Sequence, residues 1–384
     1  MAKRLPKSQL SKILFVQSFF AWGLGVYAPA IYLVHLTNNF GWAQNSASTL
    51  VALHFLAGAF AVNYLPRLFN RLGSKWSTII GLCSTTFGAC LWTLQPDSIV
   101  IYFAPLISGL GWGLTSAAAI TIVANAAGPT MVGSTLAVAF TGASFAGLVW
   151  PAVFMYGFTH WGGAATIVVT AMAQLAIVGF GMISLGCVPI GRSLPAGRTA
   201  LQTAESPGAR QLQLVMFLSV TAQIGIATHA LVLLGPRVGL GIATIVQTYM
   251  MACAILGRFA FTSLSTSVTP RRVLALSLSC QTLGLLAVAA SDDIVLVTVG
   301  FGLIGLAFGP TLTLPLLIAN REFSDLALPL IIARIGATNQ IAFVVGPLAF
   351  GYLMQLSGSD FTVLAVLALF SAVATLLSCY RSCH

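Results

Sequence analysis

The chain has 384 residues, of which 58% are apolar and 6% charged, with a net charge of +10 and a mean hydropathy of +0.96. A soluble domain carries about 25% charged residues, so this composition excludes a water-facing surface and makes lipid the main solvent. Long apolar runs replace the alternation of a membrane barrel, which leaves helices as the way to satisfy the backbone.

Residues 1–12 are short and basic. The apolar run after them, from Ile13 to Leu36, exceeds the roughly 7–15 residues of a signal-peptide core, so it is expected to stay as a first span. At about 20 apolar residues per span, the sequence predicts spans at 13–36, 46–68, 76–95, 98–124, 132–157 and 163–188. A polar segment at 189–211, with Arg192, Pro195, Arg198, Glu205, Pro207 and Arg210, reads as a linker. Further spans are predicted at 212–235, 241–263, 272–290, 294–319, 328–355 and 361–380. The expected fold class is all-α and integral to the membrane. It has twelve helices in two six-helix bundles, 1–188 and 212–384, joined by a cytoplasmic linker.

The charges fit this map. Of 17 Lys and Arg residues, fourteen fall on the side that both termini share: Lys3, Arg4, Lys7, Lys12, Arg67, Arg71, Lys75, Arg192, Arg198, Arg210, Arg271, Arg272, Arg321 and Arg381. The opposite side holds Arg237 and the acids Asp97, Asp292, Asp293 and Asp360. Lys and Arg mark the cytoplasmic side, so both termini are expected there. The positive charge is then a topology signal and not a nucleic-acid surface.

The halves repeat at a spacing of 196 residues. Gly109, Leu110, Gly113 and Thr115 match Gly305, Leu306, Gly309 and Thr311, and Pro151, Phe154 and Tyr156 match Pro347, Phe350 and Tyr352. Two parallel six-helix halves are a recurrent transporter layout, with a substrate site expected between them near mid-membrane. Within this layout, the loop between spans 2 and 3, Pro66 to Lys75, resembles a signature of the major facilitator superfamily. Arg71, Gly73 and Lys75 fit it, whereas Asn70 stands where the family carries an acid. The resemblance implies that Asn70, Arg71, Gly73 and Lys75 form a cytoplasmic gating loop. The glycine-rich stretch ending at Pro151 is similar to the family's helix-5 motif. Trp22-Gly23, Tyr27 and Pro29, Gly41-Trp42 and Gly257-Arg258 resemble the monocarboxylate and oxalate–formate branch. That likeness implies a small carboxylate as cargo, faced by an arginine in span 8.

Two arginines, Arg258 and Arg334, fall inside predicted spans, and no Asp or Glu does. A buried cation costs about 2.5–3.5 kcal/mol at mid-membrane, and a substrate carboxylate would offset it by filling the planar guanidinium fork. Both lie near cytoplasmic span ends, so extension to the interface is the competing reading. Tyr27, Tyr32, Gln223, Asn339 and Gln340 are the other polar candidates to line a path, with helix–helix bonding as their alternative. His54 in span 2 and His229 in span 7 are candidates for proton coupling, set against simple packing roles.

The seven cysteines form no CxxC pair, and no cofactor or metal site is expected. Gly300, Gly302 and Gly305 spell a dinucleotide fingerprint, but inside an apolar span and not between a strand and a helix. Scattered histidines and spans without acids argue against an enzyme. The expected function is a secondary active transporter of a small organic anion, in a cytoplasmic membrane, acting as a monomer by alternating access. An exporter of neutral or anionic drugs is the alternative, and a non-transporting sensor a remote one.

Overall fold

The computed structural model describes residues 7–93, 99–124, 132–185, 202–324 and 327–380, and every regular element among them is helical. Most of the predicted linker, and Cys187 and Asp97, lie outside the described residues.

The first span is three pieces: α1 (Lys7–Trp22), a π turn (Gly23–Tyr27) and α2 (Ala28–Phe40). Its proline explains part of the interruption. Pro29 has no N–H with which to close a bond to the carbonyl four residues back, that of Gly25. The next element, α3 (Gln44–Leu91), carries predicted spans 2 and 3 and is broken at Gly73, whose φ of 78° and ψ of 167° are non-helical. A positive φ of this kind favours glycine, which accounts for the glycine of the loop motif. Arg71 is exposed there, Lys75 lies over the Trp76 ring at 5.2 Å, and the side chain of Asn70 lies outside the described residues.

Span 4 is also interrupted. After a 3-10 turn (Ile99–Tyr102), α4 (Phe103–Thr115) ends at Ser116, which is extended, before α5 (Ala117–Ala124) begins. The first half closes with α6 (Val132–His160) and α7 (Gly163–Leu185). The second half contains α8 (Pro207–Val238), α9 (Leu240–Leu264), α10 (Pro270–Ala290) and α11 (Ile294–Phe308). A 3-10 turn (Pro310–Leu312), α12 (Leu314–Glu322), α13 (Leu328–Ser357) and α14 (Asp360–Cys379) follow. Predicted span 10 is therefore two helices, interrupted at the position that corresponds, 196 residues on, to the break in span 4. Ten helical segments among the described residues are long and apolar enough to cross a membrane, and Ile294–Phe308 is a shorter apolar helix.

The chain forms two compact units. The first holds residues 1–42 and 50–193, the second 43–49 and 194–384. Each is built on glycines that let helix backbones touch. A side chain on Gly109 would run into the His54 carbonyl, and one on Gly305 would run into that of Met250. Gly113 meets Gly58 as Gly309 meets Ala254, and Gly88 meets Ser108 as Gly284 meets Ile304. Both members of every pair shift by 196 residues, so the repeat seen in the sequence is a repeat of contacts. Lipid supplies no hydrophobic drive between helices, and close approach through small residues takes its place.

Candidate functional site

The interrupted helix of the second unit gathers polar side chains. A helix end leaves carbonyls without partners, and within a membrane those must be satisfied by protein or line a cavity. Here four consecutive carbonyls, 307 to 310, each accept from a side chain. Gln223 Nε2 donates to Ala307 (3.5 Å), Thr311 Oγ1 to Phe308 (2.7 Å), Arg258 Nε to Gly309 (3.4 Å) and Thr313 Oγ1 to Pro310 (3.3 Å). Arg258 is half-buried. It reaches this place because Gly257 lets α9 lie against the Leu306 carbonyl, and because Gly309 packs on Ala254 and the Arg258 backbone. Arg258 and Gln223, chosen separately from the sequence, thus converge on one break.

Gln223 is also bonded to its neighbours. Its Nε2 donates to Gln281 Oε1 (2.7 Å), its Oε1 lies 3.1 Å from Thr311 Oγ1 and shares that single hydroxyl hydrogen with the Phe308 carbonyl, and Gln281 Nε2 donates to the Ser219 carbonyl (3.2 Å). This buried chain ties α8, α10 and the break together, as the helix-bonding alternative for Gln223 required.

Arg334 sits elsewhere. Its guanidinium lies 3.2 Å from the Glu205 carboxylate and donates to the Ala204 carbonyl at 2.9 Å. The expectation that no protein carboxylate faces this arginine does not hold, because the chain ahead of α8 brings Glu205 to it. Asn339, just over one turn further along α13, has an Oδ1 with no hydrogen bond among the described residues, and so does Gln340 Oε1.

In the first unit, Tyr27 is buried in the π turn. Tyr32 is buried, stacked on Trp92 at 4.6 Å, and its hydroxyl has no hydrogen-bond partner among the described residues. With His35, Thr93 and Phe158 these two rings line a small cavity.

The two buried histidines differ. His54 Nε2 donates to the Gly25 carbonyl (2.9 Å), the oxygen that Pro29 leaves without its usual donor. Its Nδ1 lies 2.8 Å from Ser108 Oγ, which also accepts from Trp92 Nε1 (3.1 Å). In the second unit, His229 Nε2 lies 2.8 Å from Ser48 Oγ, and its Nδ1 faces the Gly225 carbonyl (3.1 Å) and Thr228 Oγ1 (3.0 Å). Its ring stacks on Phe350 at 4.2 Å.

Sequence reasoning did not select Ser108, Trp92, Ser48, Thr311 or Trp112. Trp112 fills the space that a side chain on Gly25 or Gly58 would need, and it meets Trp22 edge-on at 5.2 Å. The glycines at 25 and 58, in spans 1 and 2, were the available signal, because an indole needs a seat without a Cβ. The serines carried no signal, since their partners lie far off in the chain.

A model of the Major Facilitator Superfamily matches residues 13–323. No curated protein sequence matches. Among solved structures, the chain is similar to a D-xylose–proton symporter (12% identity, 97% of both chains, TM-score 0.76). It is similar to a POT family transporter in complex with 5-aminolevulinic acid (12% identity, 96% of this chain and 94% of that one, TM-score 0.75). It is also similar to the nucleoside transporter NupG (17% identity, 97% of both chains, TM-score 0.71). At these identities the structural likeness shows the fold.

Proposed function

From the premise that the chain belongs to the major facilitator superfamily and is a multi-pass membrane transporter, not an enzyme, we propose that it carries a small organic anion, a carboxylate by class. The observation that carries this reading is the place of Arg258. Its guanidinium lies against the Gly309 carbonyl where the span 10 helix is interrupted, and interrupted helices are where transporters of several folds build their substrate sites. A carboxylate matches the charge and planar fork of the arginine. The short helix after the break adds the positive end of its dipole.

In this reading Arg258 holds the cargo and Asn339, in the same unit, supplies a polar contact, while Tyr27 and Tyr32 are the polar candidates of the first unit. Gln223 shapes the break through its bond to Thr311. Arg334 is not retained as a cargo residue, because Glu205 engages it. The Lys- and Arg-rich loops set both termini in the cytoplasm, Arg71, Gly73 and Lys75 belong to a loop that opens and closes that side, and one chain suffices for alternating access. A proton moving with the cargo would use His54 or His229, one in each unit.

The test is uptake of labelled small carboxylates by proteoliposomes holding the purified protein, with and without a pH gradient. Arg258→Lys and Arg258→Ala are expected to reduce uptake at least about tenfold, the scale of one lost charge-assisted contact. Wild-type rates in both variants would remove the anion site.

A further inference from the structure

We propose that His229 is a proton-binding site of this transporter, that the Ser48 hydroxyl is its switch, and that His54 is a fixed neutral histidine. This deepens the coupling part of the reading above and rests on the transporter assignment, not on the cargo.

A carbonyl oxygen only accepts, so a ring nitrogen facing one must carry the hydrogen. At His229 this gives Nδ1 a hydrogen, donated to Gly225. The other nitrogen faces a hydroxyl, and that hydroxyl has a second outlet. Ser48 Oγ lies 2.7 Å from the Gln44 carbonyl. With the ring protonated, Nε2–H donates to Ser48 Oγ and Ser48 O–H donates to Gln44, so every group has a partner. With the ring neutral, Ser48 O–H turns to donate to Nε2. One rotation about a Cβ–Oγ bond separates two fully bonded states, and the proton comes from water and returns to it.

At His54 the second outlet is poorer. The ring Nε2 must carry a hydrogen for Gly25, and Nδ1 faces Ser108 Oγ, which already accepts the Trp92 indole N–H. A second ring hydrogen would make Ser108 accept two donors. It would also send its own hydrogen to the Pro105 carbonyl, 3.4 Å away. The neutral ring leaves Ser108 free to donate to Nδ1 at 2.8 Å, and that state uses each bond at better length.

One neighbour of His229 suits a cation. Phe350 presents its face to the ring, parallel within 11° and at 4.2 Å, and an aromatic face attracts a cation. The ring's hydrogen-bonding partners are the neutral Ser48, Thr228 and Gly225. On the elements packed against α8, the ionisable groups nearest in sequence to this level are Tyr352 on α13, beside Thr49 (3.5 Å), and Tyr249 and Cys253 on α9. Arg237, eight residues further along α8, is engaged by Asp292 and by Asp360 of α14. Arg258 on α9 and Arg334 on α13 are at Gly309 and Glu205. No carboxylate among the described residues is bonded to the ring, so a proton there adds a full positive charge.

The measurement is nitrogen NMR of protein labelled at its five histidines, in nanodiscs, across pH 4 to 9. His54→Gln and His229→Gln identify the two signals. The His229 signal is expected to pass from a one-hydrogen to a two-hydrogen ring as pH falls, while His54 keeps a single ring hydrogen, on Nε2, throughout. Ser48→Ala leaves the histidine in place and removes the acceptor of Nε2–H, so it should lower the His229 midpoint by about one pH unit, the equivalent of one modest hydrogen bond. A His229 signal with one hydrogen at every pH, or a midpoint indifferent to Ser48→Ala, overturns the proposal. The experiment uses no cargo, so failure of every carboxylate in the uptake assay leaves its result standing.

Discussion

His54 Nε2 donates to the Gly25 carbonyl across 2.9 Å, and it does so where Pro29 has withdrawn the backbone donor. The bond ties span 2 to the π turn of span 1. Replacing His54 by Ala removes that bond and the contact with Ser108, and is expected to cost about 1–3 kcal/mol, the usual penalty for buried polar groups that lose a partner. Thermal unfolding in detergent measures it. In His54→Gln protein that folds, the pH profile of transport should match that of wild type, and a shifted profile would return His54 to a coupling role.

The glycine pairs give a second prediction. Gly109→Ala and Gly305→Ala each drive a methyl group into a facing carbonyl, and overpacking of this kind costs about 1–3 kcal/mol. Gly179 has nothing within 4 Å of an added Cβ, so Gly179→Ala should be neutral or gain up to about 1 kcal/mol from helix propensity. Equal losses at all three positions would mean that close packing is not what the first two glycines provide.

Arg271 and Glu322 form a two-bond pair, with Nε to Oε1 at 2.6 Å and Nη2 to Oε2 at 2.7 Å, and Arg271 Nη1 donates to Gln211 Oε1 at 3.2 Å. Gln211 in turn donates to the Leu377 and Tyr380 carbonyls, so one network joins α8, α10, α12 and α14. Glu322→Gln is expected to destabilise by about 2 kcal/mol, below the roughly 3–5 kcal/mol for breaking a fully buried pair, because the Glu322 side chain stays 18% exposed. Arg271→Lys keeps the charge, loses the fork, and should cost less. Urea titration of the two variants beside wild type orders them.

Arg237 holds two carboxylates of very different exposure. Asp292 lies 2.9 Å away with its side chain 85% exposed, and Asp360 lies 2.6 Å away and 27% exposed. Solvent screens the first pair, so Asp292→Asn should change stability by no more than about 0.5 kcal/mol. Asp360 also sits in the first turn of α14, where a negative charge suits the helix dipole. Asp360→Asn is therefore expected to be the more damaging, and melts at low and high salt separate the two.

Arg334 and Glu205 should behave as a pair. Both are partly exposed, 30% and 54%, so their coupling in a double-mutant cycle is expected below about 1 kcal/mol. Arg334→Gln should leave the KM of any transported anion unchanged, while Arg258→Lys raises it. A KM effect at Arg334 equal to that at Arg258 would restore Arg334 to the cargo site.

Much of the fold was legible because lipid imposes simple rules. Apolar runs of span length marked the helices, and the 196-residue repeat foretold glycine contacts that recur in both units. The interruptions were less legible. Pro29 and Pro310 announce a missing N–H, but a proline inside a span is also compatible with a mere kink, and Ser116 gives no such warning. The Arg334 pairing was illegible for a related reason: its partner Glu205 lies in the polar segment ahead of α8, and nothing local to either residue reveals the pairing.

Composition and charge pattern by themselves determined that this chain spans a membrane many times as helices, because a chain so poor in charge must satisfy its backbone in hydrocarbon and its long apolar runs lack the alternation of a barrel. Residue types also singled out Arg258, Gln223, His54 and His229 as polar groups that lipid would penalise. Only the tertiary structure decided what each one answers. Arg258 and Gln223 meet the open carbonyls of one broken helix, His54 completes a bond that a proline forfeits, and His229 faces a hydroxyl with two outlets. A hydrogen bond depends on a few tenths of an ångström and on direction, and helices far apart in the chain supply both partners only once they have packed.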